Sequence, residues 1–526
     1  MSELKFTPLE EIERIHARLH DGFRSGKSKD IGYRKYLLLQ LAYMLRDNSK
    51  RFEDAFAADL GRPTFETRFL EIDASIGNAL DAWANVEKWS KPERPPFSLN
   101  GFPMRPVIYK EPKGVVLVIS PFNYPVWISF SGLVGAIAAG NTVVLKPSES
   151  TPRISSLYAE LVPQYFDSDV FAVVNGAIPE TTKLLDLPWG HILFTGNGRV
   201  GRIVSEAAAK HLTPVSLELG GKSPVFIDPN CDLELAARRI LWGKVVNAGQ
   251  TCVAPDYVLI PKGIQDKFVG LLKDKMDQFY PYSTASVGAY SRLVSPQAFY
   301  RVKGLLDNTK GIVAIGGEAD EATKFIAPTV VKDVGPGDSL MREEIFGPIL
   351  PIFPVNDVDE AIAYVNQHDH PLALYVFSND DAYKQKVFSS TQSGSAVANE
   401  VLLHLGIDGL PFGGIGPSGN GYHTGKYSFD MFTHLRSSID APSWTDKIIG
   451  FRFPPYTSKS LKGASRLVKS LPSRPTGPPT IGAYTRTKWW RKWVYMALVV
   501  VLVGGALTRR KTQPYSIFDP LPTVRN

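Results

Sequence analysis

The chain has 526 residues, of which 44% are hydrophobic and 21% charged, a composition typical of a globular protein with more than one domain. Its net charge of +7 is concentrated at one end, because residues 451–526 hold 14 Lys and Arg against one acid and the preceding residues carry a net −6. This distribution excludes a basic, nucleic-acid-binding body, and the two cysteines, Cys231 and Cys252, provide no disulfide framework and favour a reducing compartment.

Short apolar runs alternate with helical patterns from residue 115 onward. The predicted strands are Val115–Ser120, Thr142–Leu145, Val170–Val174, Ile192–Thr195 and Val215–Leu219. The predicted helices between them are Trp127–Ala139, Pro152–Tyr165, Glu180–Leu185 and Val200–His211. This alternation predicts βαβ units and a parallel sheet, which binds ligands at the carboxyl ends of its strands. A further alternation, from Pro224–Ile227 to about Val401, predicts a second α/β unit.

A glycine motif opens the last of these helices. The segment Gly196-Asn197-Gly198-Arg199-Val200-Gly201 satisfies G-x-G-x-x-G between a strand and a helix, where glycines let the backbone approach a pyrophosphate at the helix N-terminus. Glu218, 17 residues further on, would then conventionally bind a ribose. An earlier strand end offers Lys146 and Glu149 for the same task. We favour that pair, because it leaves Glu218 free for another role.

Glu218 itself is flanked by leucines and followed by a pair of glycines, Gly220 and Gly221. Partial burial would raise the pKa of this carboxyl and suit it to act as a general base near neutral pH. The alternative is a solvated acid at the end of a strand.

Cys252 lies in the segment Asn247-Ala248-Gly249-Gln250-Thr251-Cys252-Val253-Ala254-Pro255. Small and polar residues before it and a proline after it predict a bend where a substrate can reach the thiol. Taken alone, a lone cysteine is more often a buried and inert side chain. The nucleophilic interpretation depends on the other motifs of the chain.

Those motifs together resemble the aldehyde dehydrogenases, and within them the class 3 or fatty aldehyde dehydrogenases. The resemblance extends over roughly residues 5–445. The matching stretches are SPFNYPVW (Ser120–Trp127), GNTVVLKPSE (Gly140–Glu149), FTGNGRVG (Phe194–Gly201), LELGGKSP (Leu217–Pro224), NAGQTCVAPDYVL (Asn247–Leu259), EEIFGPILP (Glu343–Pro351) and PFGGIGPSGNG (Pro411–Gly421). The run GKYSFDMFTH (Gly425–His434) points to the class 3 branch.

The resemblance implies an α/β fold, with a Rossmann-type NAD-binding domain, an α/β catalytic domain and small oligomerisation elements. It implies Cys252 as the nucleophile, Glu218 as the general base and Asn123 as the side-chain donor to the oxyanion. The implied cofactor-binding residues are Lys146 and Glu149 for the adenosine ribose, Gly196, Asn197, Gly198, Arg199, Val200 and Gly201 for the pyrophosphate, Glu344 for the nicotinamide ribose, and Phe346 packed nearby. NAD is the implied cofactor, with NADP as an alternative, and a homodimer without a metal site is expected.

The predicted divisions of the chain follow the same resemblance. They are an N-terminal helical part (1–96), an oligomerisation hairpin (97–113), a Rossmann-type NAD-binding domain (114–220), a catalytic domain (221–410), a return to the NAD-binding domain with an oligomerisation strand (411–450), a basic Pro-rich linker (451–488), a transmembrane anchor (489–507) and a basic tail (508–526).

The chain departs from the family pattern in three places. Phe122 stands where the family usually has Trp, and Gly198 and Arg199 replace a small hydroxyl and an apolar residue. Near Tyr422-His423-Thr424 the aromatic residue and the histidine are displaced by one position from the class 3 pattern. We therefore assign His423 no role and expect a surface histidine there.

The C-terminal tail predicts a membrane anchor. An uncharged run, Trp493–Leu507, lies between basic clusters, and snorkelling of Arg491 and Lys492 would extend it to a span over Trp489–Leu507. The alternative is a buried core helix. Such a tail would leave the catalytic domain facing the cytosol, on the endoplasmic reticulum, the mitochondrial outer membrane or a lipid droplet. Upstream, the spacing predicts a short basic amphipathic helix over Leu461–Leu471, with a solvated linker as the alternative.

The sequence therefore predicts a membrane-anchored, NAD(P)-dependent aldehyde dehydrogenase. Its expected substrates are medium- to long-chain fatty aldehydes, oxidised to carboxylic acids through a cysteine thiohemiacetal and a thioester. One alternative is an aromatic aldehyde or semialdehyde dehydrogenase of the same fold. The other is a catalytically silent, membrane-tethered scaffold that binds a nucleotide.

Overall fold

The structure is a computed structural model that describes residues 4–98, 101–286, 288–465, 467–468, 470–475 and 477. The chain divides into two compact units, Met1–Asp440 and Ala441–Asn526. The predicted anchor, Trp489–Leu507, lies outside the described residues. Among the residues that are described, no helix has the length and apolar character needed to cross a membrane.

The strands of the described chain, in order, are β1 (Val107–Pro112), β2 (Val115–Ile119), β3 (Thr142–Lys146), β4 (Phe171–Val173), β5 (His191–Gly196), β6 (Val215–Leu219), β7 (Pro224–Ile227), β8 (Tyr257–Pro261), β9 (Ile312–Ile315), β10 (Ala319–Asp320), β11 (Phe325–Ile326), β12 (Thr329–Lys332), β13 (Ile349–Val355), β14 (Ala373–Phe377), β15 (Ser395–Ala398), β16 (Gly419–Asn420) and β17 (Thr433–Ser438).

The helices are α1 (Leu9–Arg24), α2 (Ile31–Asp47), α3 (Ser49–Leu60), α4 (Thr64–Thr67), α5 (Asp73–Ser90), α6 (Trp127–Ala139), α7 (Pro152–Tyr165), α8 (Ile178–Leu185), α9 (Gly198–Ala209), α10 (Leu233–Val245), α11 (Gln265–Phe279), α12 (Pro296–Asp307), α13 (Ser339–Arg342), α14 (Val358–Asn366), α15 (Asp381–Ser390), α16 (Gly425–Met431), α17 (Asp446–Ile449) and α18 (Ser458–Ser465). A π-helical turn, Arg68–Ile72, joins α4 to α5.

A six-stranded sheet has the order β16-β6-β5-β2-β3-β4, and only β16 runs antiparallel to its neighbour. Its central strand β2 is buried along its whole length because both faces of the sheet are covered. Val116 and Val118 pack in the core that contains α6, whereas Leu117 and Ile119 pack in the core that contains α1. This explains why the strand reads as a continuous apolar run.

A second, seven-stranded sheet has the order β15-β14-β7-β8-β13-β12-β9, parallel except for β9. Outside the two sheets, β1 pairs antiparallel with β17, from Val107 opposite Ser438 to Pro112 opposite Thr433. A β-bridge between Glu93 and Ile108 closes the loop before β1. Oligomerisation through this region stays a prediction, as do the domain boundaries.

The five predicted strands of the first sheet are confirmed to within one residue at each end. The predicted amphipathic helix at Leu461–Leu471 is only partly observed, since α18 ends at Ser465. The Ser465 hydroxyl donates to the carbonyl oxygen of Lys462 at 2.9 Å, a local side-chain bond of the kind that competes with helix continuation. Val468 therefore lies beyond the helix.

The close packing of α6 against α16 predicts opposite effects for two glycine substitutions. A Cβ at Gly135 in α6 would stand 2.4 Å from the Cβ of Ser428, whereas one at the exposed Gly77 in α5 would meet no atom within 4 Å. We expect Gly135→Ala to lower the unfolding free energy by about 1–3 kcal/mol and Gly77→Ala to raise it by about 0.5–1 kcal/mol. Thermal unfolding midpoints measure both, and an unchanged midpoint for Gly135→Ala would contradict this packing.

Candidate active site

The predicted site residues gather at one edge of the six-stranded sheet. Because β2, β3, β5 and β6 are parallel, the segments that follow them begin at the same edge. Asn123 follows β2, Lys146 ends β3, Gly196 ends β5 and Glu218 lies near the end of β6. The chain winds outward in opposite directions from β2 and β5, so this edge also contains the topological switch point where α/β sheets bind ligands.

Three consecutive residues shortly before Cys252 lie in the left-handed backbone region. The φ angles of Asn247, Ala248 and Gly249 are 53°, 52° and 71°. Left-handed conformations of non-glycine residues cost about 1–2 kcal/mol each, so surrounding contacts must stabilise this turn. Gly249 is required at its position, because a Cβ there would lie 2.2 Å from the carbonyl oxygen of Gly347. Cys252, shortly after the turn, is partly buried and packs against the core of the seven-stranded sheet.

The side chains of Asn247 and Gln250 hold the turn from within. The Asn247 amide donates to the carbonyl oxygens of Asn123 at 2.9 Å and Gln250 at 3.0 Å. The Gln250 amide donates to the carbonyl oxygens of Asn247 and Arg292, both at 3.0 Å. Glu66 accepts the backbone N–H of Asn247 at 3.0 Å. Three of these bonds connect the turn to Glu66, Asn123 and Arg292, and the other two lie within the turn.

A buried ion pair holds the Asn123 segment from the other side. Arg62 donates to the carbonyl oxygen of Asn123 at 3.1 Å and also to the Glu71 carboxylate, and neither charged side chain is exposed to solvent. Glu71, in the π-helical turn, also accepts the backbone N–H groups of Val126 at 3.1 Å and Trp127 at 2.7 Å, at the start of α6. Burial nevertheless raises the pKa of Glu71 to about 7.

One more hydrogen bond joins the two segments next to the predicted catalytic residues. The hydroxyl groups of Tyr124 and Thr251 are 3.0 Å apart, and these residues directly follow Asn123 and precede Cys252. The Asn123 side chain, 3% exposed, makes no hydrogen bond within the described part of the chain.

Glu218 is the most perturbed acid of the site. It is 3% exposed, and neither carboxylate oxygen has a hydrogen-bond partner among the described residues. Burial raises the pKa of this carboxyl well above its usual value, which agrees with the direction predicted from the sequence. Its neighbours across the strands, Thr195 on β5 and Gly419 on β16, carry no charge.

The Cys252 thiol and the Glu344 carboxyl share this desolvated region. Burial, followed by the charges of Glu344 and Glu218, raises the pKa of Cys252 above that of a free thiol. Burial and the charge of Asp256 raise the pKa of Glu344 to about 8. Because its pKa is raised, the thiol of Cys252 is mostly protonated at neutral pH.

The candidate cofactor residues divide between two parts of this edge. Lys146, almost buried, donates to the Glu149 carboxylate at 2.8 Å, and 42% of the Glu149 side chain is exposed. The Asn197 side chain caps α9 by accepting the backbone N–H of Val200 at 3.0 Å. A Cβ at Gly198 would meet no atom within 4 Å, so the space beside this helix N-terminus is open. Arg199 is exposed, and Gly201 packs against Leu219.

Glu344 and Phe346 lie at the other end of the candidate cofactor site. A Cβ at Gly220 would stand 2.1 Å from Glu344 Oε2, so only glycine allows that carboxyl to rest on the backbone after β6. Phe346 has a φ of 46° and packs edge-on against Phe122, with 5.9 Å between the ring centroids. Phe122, the departure noted in the sequence, therefore fills this space with a smaller aromatic ring than Trp.

These features fit an NAD(P) molecule. An acid and a lysine at a strand end suit ribose hydroxyls, an open helix N-terminus suits a pyrophosphate, and a carboxyl resting on glycine beside Cys252 suits a second ribose. In the described residues, no group of three or more His, Cys, Asp or Glu is placed to hold a metal ion.

The prediction that His423 is a surface histidine is wrong. The ring is 2% exposed, with Nδ1 at 2.6 Å from Ser131 Oγ and Nε2 at 3.8 Å from Glu218 Oε2. It is buried because Phe412 and His423 exchange two backbone hydrogen bonds, which direct the ring inward. Sequence reasoning also missed Arg62 and Glu71, for which no local pattern exists.

Comparison with known proteins decides the family. A model of the aldehyde dehydrogenase family matches residues 4–438. The chain belongs to the aldehyde dehydrogenase family. It is accordingly an NAD(P)-dependent enzyme that acts on aldehydes, and the resemblance drawn from the sequence motifs is confirmed.

Two curated relatives show which branch this aldehyde dehydrogenase is similar to. Aldehyde dehydrogenase family 3 member A2 of Mus musculus is 43% identical over 453 residues, which cover 86% of this chain and 93% of the relative. The dimeric NADP-preferring aldehyde dehydrogenase of Rattus norvegicus is 44% identical over 443 residues, which cover 84% and 97%.

Solved structures show the same fold. The substrate-bound aldehyde dehydrogenase AldH of Staphylococcus aureus superposes with a TM-score of 0.84 at 38% identity and covers 86% of this chain and 99% of that one. The NAD⁺ complex of a Mycobacterium tuberculosis aldehyde dehydrogenase has a TM-score of 0.75 at 28% identity, with 83% and 91% covered.

The strained turn before Cys252 predicts a difference between two substitutions of Asn247. Asn247→Ala and Asn247→Gly both remove the amide that donates to Asn123, but only glycine adopts a φ of 53° without a steric penalty. We expect Asn247→Ala to be less stable than Asn247→Gly by about 1 kcal/mol. Thermal unfolding of the two proteins measures this difference, and equal midpoints would show that the turn is relaxed.

Proposed function

We propose that this aldehyde dehydrogenase oxidises aldehydes to carboxylic acids through a covalent intermediate on Cys252. The observation that carries the proposal is the junction at Asn123, whose carbonyl oxygen binds Asn247 and so brings the nucleophile segment against the oxyanion donor. The buried and unpartnered carboxyl of Glu218 interacts electrostatically with the same thiol.

The first step forms a carbon–sulfur bond. The Cys252 sulfur adds to the aldehyde carbon, and the carbonyl electron pair moves to the oxygen, where the Asn123 amide and the Cys252 backbone N–H donate to it. Oxyanion donors of this kind are worth about 3–4 kcal/mol each in the transition state. The raised pKa of Cys252 means that the thiol must release its proton, to solvent, as the carbon–sulfur bond forms.

Bound NAD(P) supplies the acceptor for the hydride that leaves the aldehyde carbon. The acyl group then remains on Cys252 as a thioester. Glu218 removes a proton from the water that attacks this thioester, and its raised pKa makes its carboxylate a stronger base than that of an exposed glutamate. The Cys252 sulfur leaves and recovers its proton as the acid is released.

The surroundings of the site favour an apolar substrate. Leu70, next to α5, and Leu405, after β15, both pack against the cluster of Tyr124, Trp127 and Ile128 beside the catalytic residues. The chain near these two leucines also exposes four apolar side chains, those of Phe65, Phe69, Leu403 and Ile407. Exposed apolar residues in such number commonly mark binding surfaces. We therefore propose medium- to long-chain aldehydes as substrates, and turnover measured from acetaldehyde to octadecanal tests this choice.

We further propose that the enzyme is anchored to a membrane by Trp489–Leu507, with its catalytic part in the cytosol. Within the unit Ala441–Asn526, apolar side chains are exposed next to basic ones. The apolar residues are Ile448, Phe453, Tyr456 and Leu461, and the basic ones are Lys447, Arg452, Lys459 and Lys462. This combination suits the surface of an anionic bilayer.

We also propose that the enzyme is a homodimer, because the similar aldehyde dehydrogenase of Rattus norvegicus is described as dimeric.

Cys252→Ala and Glu218→Gln should separate the two chemical roles. Cys252→Ala should abolish NADH formation. Glu218→Gln should still release NADH in a burst of at most one molecule per site. Its turnover after the burst should be slower by a factor of at least about 100, because general-base catalysis contributes about 10²–10⁴-fold. Stopped-flow absorbance follows both phases. Cys231→Ala is the matched control and should leave the rates unchanged. Loss of NAD binding in Glu218→Gln would instead place Glu218 on the ribose.

The exposed carboxylate of Glu149 predicts a preference for NAD over NADP. It would accept a hydrogen bond from a ribose 2′-hydroxyl but repel a 2′-phosphate, and Lys146 beside it moderates that repulsion. Glu149→Gln should lower the ratio of kcat/KM for NAD over NADP by about 5-fold, since exposed charge interactions reach about 1 kcal/mol. Glu160→Gln on α7 is the control. A preference of the unaltered enzyme for NADP would contradict this placement.

Truncation after Tyr484 tests the proposed anchor. We expect the shortened enzyme to leave the membrane fraction and to oxidise water-soluble aldehydes at the original rate, because every proposed catalytic residue precedes the cut. Oxidation of long-chain aldehydes dissolved in vesicles should fall, since the local concentration gained at the membrane is lost. A truncated enzyme that still pellets with membranes after a high-salt wash would show that the anchor lies elsewhere.

A further inference from the structure

His423 is a buried titratable residue with no part in the steps described above. It lies between β16 and α16, and its ring packs against Phe412 and Trp127, with centroid separations of 5.1 and 6.4 Å. Its Nε2 is 3.8 Å from Glu218 Oε2, and both side chains are 2% exposed. This separation is longer than a hydrogen bond, and the two groups must approach each other by about 1 Å to form one.

A chain of hydroxyl groups determines which ring nitrogen carries the proton. The backbone N–H of Thr424 donates to Ser428 Oγ at 2.8 Å, and Ser428 Oγ is 3.5 Å from Ser131 Oγ. Ser131 Oγ is in turn 2.6 Å from His423 Nδ1. The backbone N–H of Thr424 can only donate, so the Ser428 hydroxyl accepts from it and has its own proton left to donate to Ser131. The Ser131 hydroxyl, which then accepts from Ser428, donates its proton to Nδ1 of His423.

This direction leaves the proton of the neutral ring on Nε2, facing Glu218. Burial lowers the pKa of His423 to about 4, so the ring is neutral and carries one proton at physiological pH. The opposite direction would turn the lone pair of Nε2 toward a carboxylate and leave the Ser428 hydroxyl without an acceptor among the described residues. The hydrogen-bond chain therefore selects one tautomer.

We infer that His423, with its tautomer set by Ser131, is a positioning residue that donates Nε2–H to one oxygen of the Glu218 carboxylate and leaves the other oxygen for the attacking water. The inference rests on the proposed role of Glu218 as the general base. An N–H that donates to a carboxylate stabilises its ionised form, and in the described residues no other donor contacts Glu218. His423 thus opposes the effect of burial on the base.

The other groups around Glu218 provide no such stabilisation. Thr195 and Gly419, paired with it across the strands, are uncharged. The Cys252 thiol is itself an acid, and it interacts electrostatically with both Glu218 and Glu344. A substitution at His423 therefore changes the one donor that the described residues place near the base, and it alters no neighbouring charge.

The test compares His423→Phe, His423→Gln and Ser131→Ala with the unaltered full-length enzyme. His423→Phe keeps a planar ring but removes the donor. We expect an unchanged NADH burst, turnover after the burst that is about 10-fold slower at neutral pH, and a rising limb of the pH profile shifted upward by about one unit. Ser131→Ala should shift the profile in the same direction by less. His423→Gln keeps an N–H and should restore turnover and profile. His16→Phe, at another buried histidine, is the control and should leave the profile unchanged.

Three outcomes would overturn the inference. His423→Phe could have the pH profile of the unaltered enzyme, it could lose burst and turnover equally, or His423→Gln could be as impaired as His423→Phe. The second and third would reduce His423 to a packing residue. If the unaltered enzyme formed no NADH from any aldehyde, the proposed function itself would fail, a result distinct from these three.

Discussion

The carbonyl oxygen of Asn123 is the point on which the arrangement of the site depends. It accepts one hydrogen bond from the buried Arg62 guanidinium and one from the Asn247 amide. The first fixes the segment after β2 in the six-stranded sheet, and the second fixes the segment before β8 in the seven-stranded sheet. One backbone oxygen thus joins the segment of the proposed oxyanion donor, Asn123, to the segment of the proposed nucleophile, Cys252. Removal of one partner from a buried ion pair such as Arg62–Glu71 typically costs about 3–5 kcal/mol.

The site is also defined by low polarity. Burial raises the pKa values of Glu218, Cys252 and Glu344 together, because the low polarity of the site disfavours the charged form of each group. A protonated thiol is protected from oxidation and from unrelated electrophiles. In the proposed reaction, charge develops where donors are already in place, on the substrate oxygen and on the Glu218 carboxylate.

The sequence predicted the two sheets and the edge that bears the site because both depend on local patterns. Strand β2 reads as a continuous apolar run since both of its faces are covered, and the motif around Cys252 contains the glycine that its turn requires. The network behind the motifs could not be predicted in the same way. Arg62 and Glu71 are distant in sequence from Asn123, and neither carries a local signal. His423 was misplaced because its burial follows from a backbone bridge to Phe412, a tertiary pairing that no spacing reveals.

The central claim is that Cys252 carries the acyl intermediate while Glu218 is needed to release it. Peptide mapping by mass spectrometry tests this claim most directly, using Glu218→Gln enzyme mixed with decanal and NAD and then quenched in acid. The account predicts a decanoyl group on the peptide that contains Cys252 and none on the peptide that contains Cys231. An acyl group on Cys231, or no acyl group on either cysteine after NADH has formed, would contradict it.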